Sequence, residues 1–95
     1  MKKLEVILSQ AIDADFMRAC LVMKVGQHYT KSIGVQGCGN TCPKMGDEIW
    51  PQLNNHYMMC IPDEELKIIK KIITNLRTKY PDEGITCFVT ETEEL

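Results

Sequence analysis

From Lys3 to Ser9 apolar and polar residues alternate, placing Leu4, Val6 and Leu8 on one face and Ile7 on the other, the period of a half-buried strand. From Asp13 to Met23 the period lengthens. Phe16, Cys20 and Met23 recur at helical spacing with Ile12 just before them. Asp13 stands where a helix cap belongs, Asp15 suits the positive end of the helix dipole, and Gly26 ends the element. Alternation returns over His28–Gln36: Tyr29, Lys31, Ile33 and Val35 face one way, Thr30, Ser32 and Gly34 the other. That pattern predicts a strand with one covered side.

The stretch Gly37–Asn54 has no period and is punctuated by Gly and Pro, so it reads as a long loop. Loops of that length inside one domain are usually functional or mobile. A third strand is predicted over His56–Ile61. Pro62-Asp63-Glu64-Glu65 then opens the clearest helix, with acidic residues in its first turn. Leu66, Ile69, Ile73 and Leu76 form its apolar stripe, widened by Ile68 and Ile72, while Lys67, Lys70, Lys71, Arg77 and Lys79 supply its solvated side. Pro81 and Gly84 stop it. Ile85–Thr90 predicts a fourth strand, and Glu91–Leu95 an acidic tail that frays.

The order β-α-β, long loop, β-α-β predicts an α+β, ferredoxin-like fold: one four-stranded antiparallel sheet with both helices on one face. The 95 residues suit one domain, 1–95, whose modest core would gain from assembly. Net charge is −2 with no basic block, which argues against a nucleic-acid partner. No apolar run is long enough to span a membrane, and Glu5, Asp13 and Asp15 interrupt any signal-peptide pattern, so a cytoplasmic location is expected.

Function has to be argued from sites, because this fold hosts many. The loop after the first strand, Ser9-Gln10-Ala11-Ile12, has no thiol pair of the metallochaperone kind and no Arg of the acylphosphatase kind. The middle strands carry too few aromatics, Tyr57 and Phe88, for an RNA-stacking surface. His28 and His56 are expected as partly exposed strand residues, tied to no Ser or Cys nucleophile. An enzyme is not expected. Of the five cysteines, Cys20, Cys60 and Cys87 fall in apolar patterns and read as small buried hydrophobes. An odd count without a secretion signal is no disulfide framework.

Four segments resemble the PII-like superfamily of signalling proteins. Lys2-Lys3-Leu4-Glu5-Val6-Ile7 resembles their opening strand, and Val35-Gln36-Gly37-Cys38-Gly39 the glycine-punctuated exit from their second. Gly46-Asp47-Glu48-Ile49-Trp50-Pro51 is similar to a segment before the third strand of small PII-like proteins, and Ile61-Pro62-Asp63-Glu64-Glu65 to the start of their second helix. The resemblance implies a homotrimeric regulator that binds a small effector in clefts between subunits. Its loop over 37–54, with Asp47, Glu48 and Trp50, would contact a partner such as a transporter or an enzyme. The ligand-binding positions it implies are Gly37, Gly39, Arg77, Lys79 and Gly84.

Departures from the superfamily bear on the effector. Between the second helix and the fourth strand, PII proteins carry a Gly- and Lys-rich segment that holds nucleotide phosphates. The stretch here is Arg77-Thr78-Lys79-Tyr80-Pro81-Asp82-Glu83-Gly84, with two carboxylates and one glycine. Carboxylates repel a triphosphate, and fewer glycines leave fewer N–H groups to cradle it, so ATP-type nucleotide binding is expected to be weak or absent. The effector is left unknown. Nitrogen sensing does not carry over, because the loop has no tyrosine.

Cys38 and Cys42 are a separate chemical feature. Four apart in a loop, they suit a reversible disulfide or half of a zinc site, with His56, Asp47 or a neighbouring subunit supplying further ligands. The plainer reading is two free thiols in a Gly-rich loop. A metal- or redox-responsive binding protein is therefore the alternative function.

Overall fold

A computed structural model describes residues Met1–Leu95. The alternation at the start of the chain forms strand β1, Lys2–Ser9, which buries Leu4, Val6 and Leu8 as expected. A 3-10 turn over Gln10–Ile12 leads into helix α1, Asp13–Met23. Strand β2 spans Tyr29–Val35, β3 spans Asn54–Ile61, and a second 3-10 turn over Asp63–Glu65 precedes helix α2, Leu66–Lys79. Strand β4, Ile85–Glu91, closes the order. The sheet runs β2-β3-β1-β4 with every neighbouring pair antiparallel. This is the ferredoxin-like α+β arrangement predicted from the periodicities.

Both helices lie on one face of the sheet. Phe16 and Cys20 from α1, and Ile69, Ile72, Ile73 and Leu76 from α2, pack on Leu4, Val6, Leu8, Tyr57, Met59, Ile61 and Ile85. The opposite face carries the alternate residues, among them Glu5, Ile7, His56, Met58, Thr86 and Phe88, and no element covers it.

Several local expectations are corrected. Asp13 does not cap α1. The preceding 3-10 turn is capped by Ser9, whose hydroxyl accepts from Ala11 N at 3.3 Å. Asp13 instead turns its carboxylate toward the sheet, where it accepts from Lys31 Nζ at 2.5 Å, Asn55 Nδ2 at 3.0 Å and the Tyr57 hydroxyl. Helix α1 ends at Lys24, in the left-handed region at φ 56°, two residues before Gly26. Met23 is consequently half-exposed, and Val25 takes the buried place. The acidic residues Asp63, Glu64 and Glu65 form the 3-10 turn rather than the first turn of α2.

Strand β2 departs furthest from expectation. Its predicted covered face is largely open, with Ile33 73% exposed. The cause is position: β2 is an edge strand, and only its first residues reach core side chains. Tyr29 meets the Tyr57 ring edge-on at 5.4 Å, and Lys31 Nζ lies 5.0 Å from the centre of the same ring. His28 lies before the strand, exposed. Glu91 does not fray but pairs in β4 opposite Lys2, whose ammonium holds its carboxylate below the usual range.

Candidate functional site

Residues 36–53, between β2 and β3, fold as two linked turns. Gly37 and Lys44 exchange backbone hydrogen bonds of 2.8 and 2.7 Å, closing a small ring around Cys38–Pro43. Farther on, Asp47 Oδ1 accepts from the backbone N–H of Ile49 at 3.0 Å and of Trp50 at 2.6 Å. That Asx turn presents Ile49, 78% exposed, and Trp50, 40% exposed, at the loop's outer end. Gln10 N donates to Leu53 O at 3.1 Å and returns the chain to the sheet. The loop, aperiodic in sequence, therefore has its own hydrogen-bonded frame.

The ring around Cys38–Pro43 leans over the end of the open sheet face and over the turn before β4. Together they border an open cavity of about 780 Å³. Its walls include Gln36–Cys42 and Lys44 from the loop, Ser32, His56 and Phe88 from the open face, Arg77 from the last turn of α2, and Glu83 and Gly84 from the turn before β4. Two glycines leave room for neighbouring side chains. A Cβ on Gly37 would stand 2.5 Å from Asn54 Nδ2, and one on Gly84 would stand 3.2 Å from Thr41 Oγ1. Gly39 borders the cavity but has nothing within 4 Å of a would-be Cβ, so no steric constraint requires glycine there.

Lys44 is 4% exposed. Its Nζ donates to Gln52 Oε1 at 2.7 Å, and no carboxylate lies within ion-pair distance. Lys44, a residue of the cavity wall, thus has a buried ammonium with three donors, one neutral partner and no ion pair. Glu83 provides the complement. Its Oε2 is buried and accepts no hydrogen bond from the protein. Arg77 commits its guanidinium to structure: Nε and Nη2 both donate to Ile85 O, at 3.4 and 3.0 Å, fastening α2 to β4. His56 Nε2 stands 3.6 Å from Glu5 Oε2 on the open face.

Among the residues implied by the resemblance, Gly37, Gly39, Arg77 and Gly84 line this cavity. Lys79 does not. It projects from the other side of α2, 3.8 Å from Asp15 and 5.2 Å from the centre of the Tyr80 ring, because its place on the helix turns it toward α1. Asp47, Glu48 and Trp50 stand outside the cavity, on the outer turn. Cys38 and Cys42 are exposed free thiols at the cavity mouth. No three His, Cys, Asp or Glu side chains converge on a point that would hold a metal ion, so the thiol pair finds no further ligands within the chain.

Of the other thiols, Cys20 is buried, and burial pushes it up to about 11. Cys60 and Cys87 are only half-buried, against expectation. Cys60 lies opposite Lys3 on the uncovered face, and Cys87 lies at the margin of the core. Lys44 was the residue the periodicities missed. A lysine in an aperiodic loop reads as solvated, and only the Gly37–Lys44 pairing folds it inward.

No family model matches the sequence, and no curated protein matches it. Solved structures do. CPII from Thiomonas intermedia, a nitrogen regulatory PII-like protein, is similar in two structures. One, bound to ADP and bicarbonate, superposes with a TM-score of 0.72 at 19% identity, over 94% of this chain and 82% of that one. The other, bound to ADP, AMP and bicarbonate, gives 0.71 at 16% identity, over 96% and 86%. A DUF3240 family protein from Shewanella baltica gives 0.67 at 8% identity, over 99% and 92%. The order of elements, the sheet topology and these superpositions agree: this chain has the fold of the PII-like proteins.

Proposed function

We propose that this protein is a PII-like regulator, not an enzyme, that takes a small anionic effector in the cavity beneath the 36–44 limb of its loop. The buried ammonium of Lys44, which has no ion-pair partner, is the observation that carries the reading. An anion entering the cavity gains a partner in a place where water screens it poorly. The unpaired oxygen of Glu83 adds a second requirement, an O–H or N–H donor on the same ligand. Bicarbonate has both features, and so do the phosphate and ribose hydroxyls of a nucleotide. The ligands bound to CPII belong to these two classes.

The loop connects that site to the exterior. Its inner ring forms the cavity wall and its outer turn displays Ile49 and Trp50, so occupancy can be passed to a partner by ordering one segment. The partner is proposed as a transporter or an enzyme, and the cavity is completed by neighbouring subunits of a homotrimer in the cytoplasm. No helix of the chain is long and apolar enough to cross a membrane.

Titration calorimetry with bicarbonate, AMP, ADP and ATP tests the reading. Glu83 opposes phosphate charge, so affinity should fall from AMP to ATP, with the ATP Kd above about 100 μM, roughly −5.5 kcal/mol. Lys44→Gln should weaken every anion about tenfold or more, and Glu83→Gln should tighten ATP selectively. Absence of binding by all four ligands at millimolar concentration would end the effector reading. Low-micromolar ATP affinity indifferent to both substitutions would show that phosphates sit elsewhere.

A second reading rests on the exposure of both Cys38 and Cys42 at the cavity mouth. As a thiol pair they would sense zinc or oxidant, with the remaining metal ligands supplied by another subunit.

A further inference from the structure

The outer side of the helix layer, away from the loop and its cavity, carries a groove of about 720 Å³ between α1 and α2. Two rows on α2 border it at intervals of one turn. Ile68, Ile72 and Leu76 make an apolar row, and Lys67, Lys71, Asn75 and Lys79 a polar, mostly cationic one. From α1 come Ala19, Val22 and Met23, again at helical spacing, with Arg18 beside them. Val22 is 71% exposed and Met23 51% exposed, so the apolar wall on the α1 side is presented to solvent rather than to the core.

The charge of this groove opposes that of the chain. Four cations, Arg18, Lys67, Lys71 and Lys79, face one carboxylate, Asp15, in a protein whose net charge is −2. Asp15 is already engaged: it accepts from the Tyr80 hydroxyl, and Arg18 and Lys79 approach it at 3.4 and 3.8 Å. The Tyr80 hydroxyl, and then the two cations, hold its carboxyl below the usual range. Lys67 and Lys71 form no ion pair at all. An apolar floor flanked by two unpaired ammonium groups, Lys67 and Lys71, is the complement of a helix with one apolar stripe and an acidic flank.

We infer that the α1–α2 groove is a docking site for an acidic amphipathic helix of a partner protein. The dimensions fit. Helix α1 has 11 residues, about 16 Å along its axis, which matches about three turns of a docked helix. Leu or Ile at i, i+3 or i+4, and i+7 of the partner would fill the floor, and Glu or Asp along one flank would meet Lys67 and Lys71. A second copy of this chain docking through the same face would bring like cations together, which disfavours a symmetric helix-face dimer. A flat anionic membrane would meet the cationic rim and leave the recessed floor unfilled.

Fluorescence anisotropy with a labelled synthetic peptide tests the inference. The peptide is a helix of about four turns, with Leu at the i, i+3, i+7 and i+10 positions and Glu flanking them. A scrambled peptide of the same composition is the control. The natural chain should bind the patterned peptide about tenfold or more tighter than the scrambled one. Raising salt from about 50 to about 500 mM should weaken the complex. Val22→Asp and the double variant Lys67→Glu, Lys71→Glu alter exposed positions, so circular dichroism should show native folding for both. Each should lose about tenfold or more in affinity. Equal binding of the two peptides, or native affinity in both variants, would overturn the inference. Binding to phosphatidylcholine–phosphatidylglycerol vesicles without binding to the peptide would overturn it in favour of a lipid surface. None of these readouts involves the loop or Lys44, so failure here leaves the effector reading standing.

Discussion

Five cysteines in one short chain occupy three kinds of surroundings, and reactivity should sort them. Cys38 and Cys42 are exposed in the loop, Cys60 and Cys87 are half-buried, and Cys20 is enclosed between α1 and the sheet. Burial, then the nearby Glu65 carboxylate, raise the Cys20 thiol to about 11, so at neutral pH almost none of it is thiolate. Timed alkylation with iodoacetamide near neutrality, read by peptide mass spectrometry, should modify Cys38 and Cys42 first and Cys20 last. The variant carrying Cys38→Ser and Cys42→Ser should fold normally, since neither side chain belongs to the core. Zinc uptake or oxidant response that disappears in that variant would establish the thiol-pair reading. A native protein that takes no zinc and forms no Cys38–Cys42 bridge under mild oxidant would retire it. Sequence periodicity placed Cys20 correctly, on a helix stripe, but placed Cys60, on a strand, wrongly. An alternating strand has two apolar-compatible faces, and the pattern alone does not say which face the helices cover.

At the scale of elements, the parts legible in advance are those whose burial follows from their own repeat. Leu4, Val6 and Leu8 on β1, and Ile69, Ile73 and Leu76 on α2, are buried because a strand or helix presents one face and the core takes it. Strand β2 has the same alternation, but its place at the sheet edge leaves Ile33 open, and edge position is a property of topology that no local window contains. Beyond its ladder with β3, a polar cluster at the start of α1 ties β2 to the body. Asp13 accepts from Lys31 on β2 and from Asn55 and Tyr57 on β3. Asn55 Oδ1 in turn accepts from Gly34 N at 3.0 Å, beside the register shift in β2. Burial, then acceptance by Asp13, raise the Tyr57 hydroxyl, so it remains a proton donor throughout the physiological range. Asp13→Ala should cost about 2–4 kcal/mol, because it strands the Tyr57 hydroxyl and the Lys31 ammonium in a partly buried space. Denaturant unfolding measures the loss, and hydrogen exchange should show β2 amides opening well before those of β1. Uniform exchange across the sheet would mean that the cluster does not specifically hold the edge. The candidate cavity was half legible for a related reason. Gly37, Gly39, Arg77 and Gly84 were marked by resemblance, but Lys44 is buried by two backbone hydrogen bonds to Gly37 that leave no trace in composition.

On the scale of the whole molecule, the sheet is covered on one side only. Fifteen buried apolar residues form the core beneath the helices, while the other face exposes Phe88 at 62% and carries the partly exposed Ile7 and Met58 beside it. An open antiparallel face is tolerable when it is polar, but this one mixes apolar side chains with Glu5 and His56, and the candidate cavity opens along its end. Covering that face with further copies would remove Phe88 and Met58 from water and would enclose the cavity, whose present walls come from one chain. A small domain gains most from such burial, because its own core is a limited source of stability. The proposed PII-like reading makes a closed trimer the expected assembly, with a solution mass near three times the chain's 10.9 kDa. Multi-angle light scattering at micromolar concentration measures it directly. Phe88→Arg, exposed in the single chain and therefore harmless to its folding, should shift the mass toward the monomer. A natural chain that stays at 10.9 kDa across that range, with Phe88→Arg indistinguishable from it, would mean that the open face is not an interface and that the cavity works within one subunit.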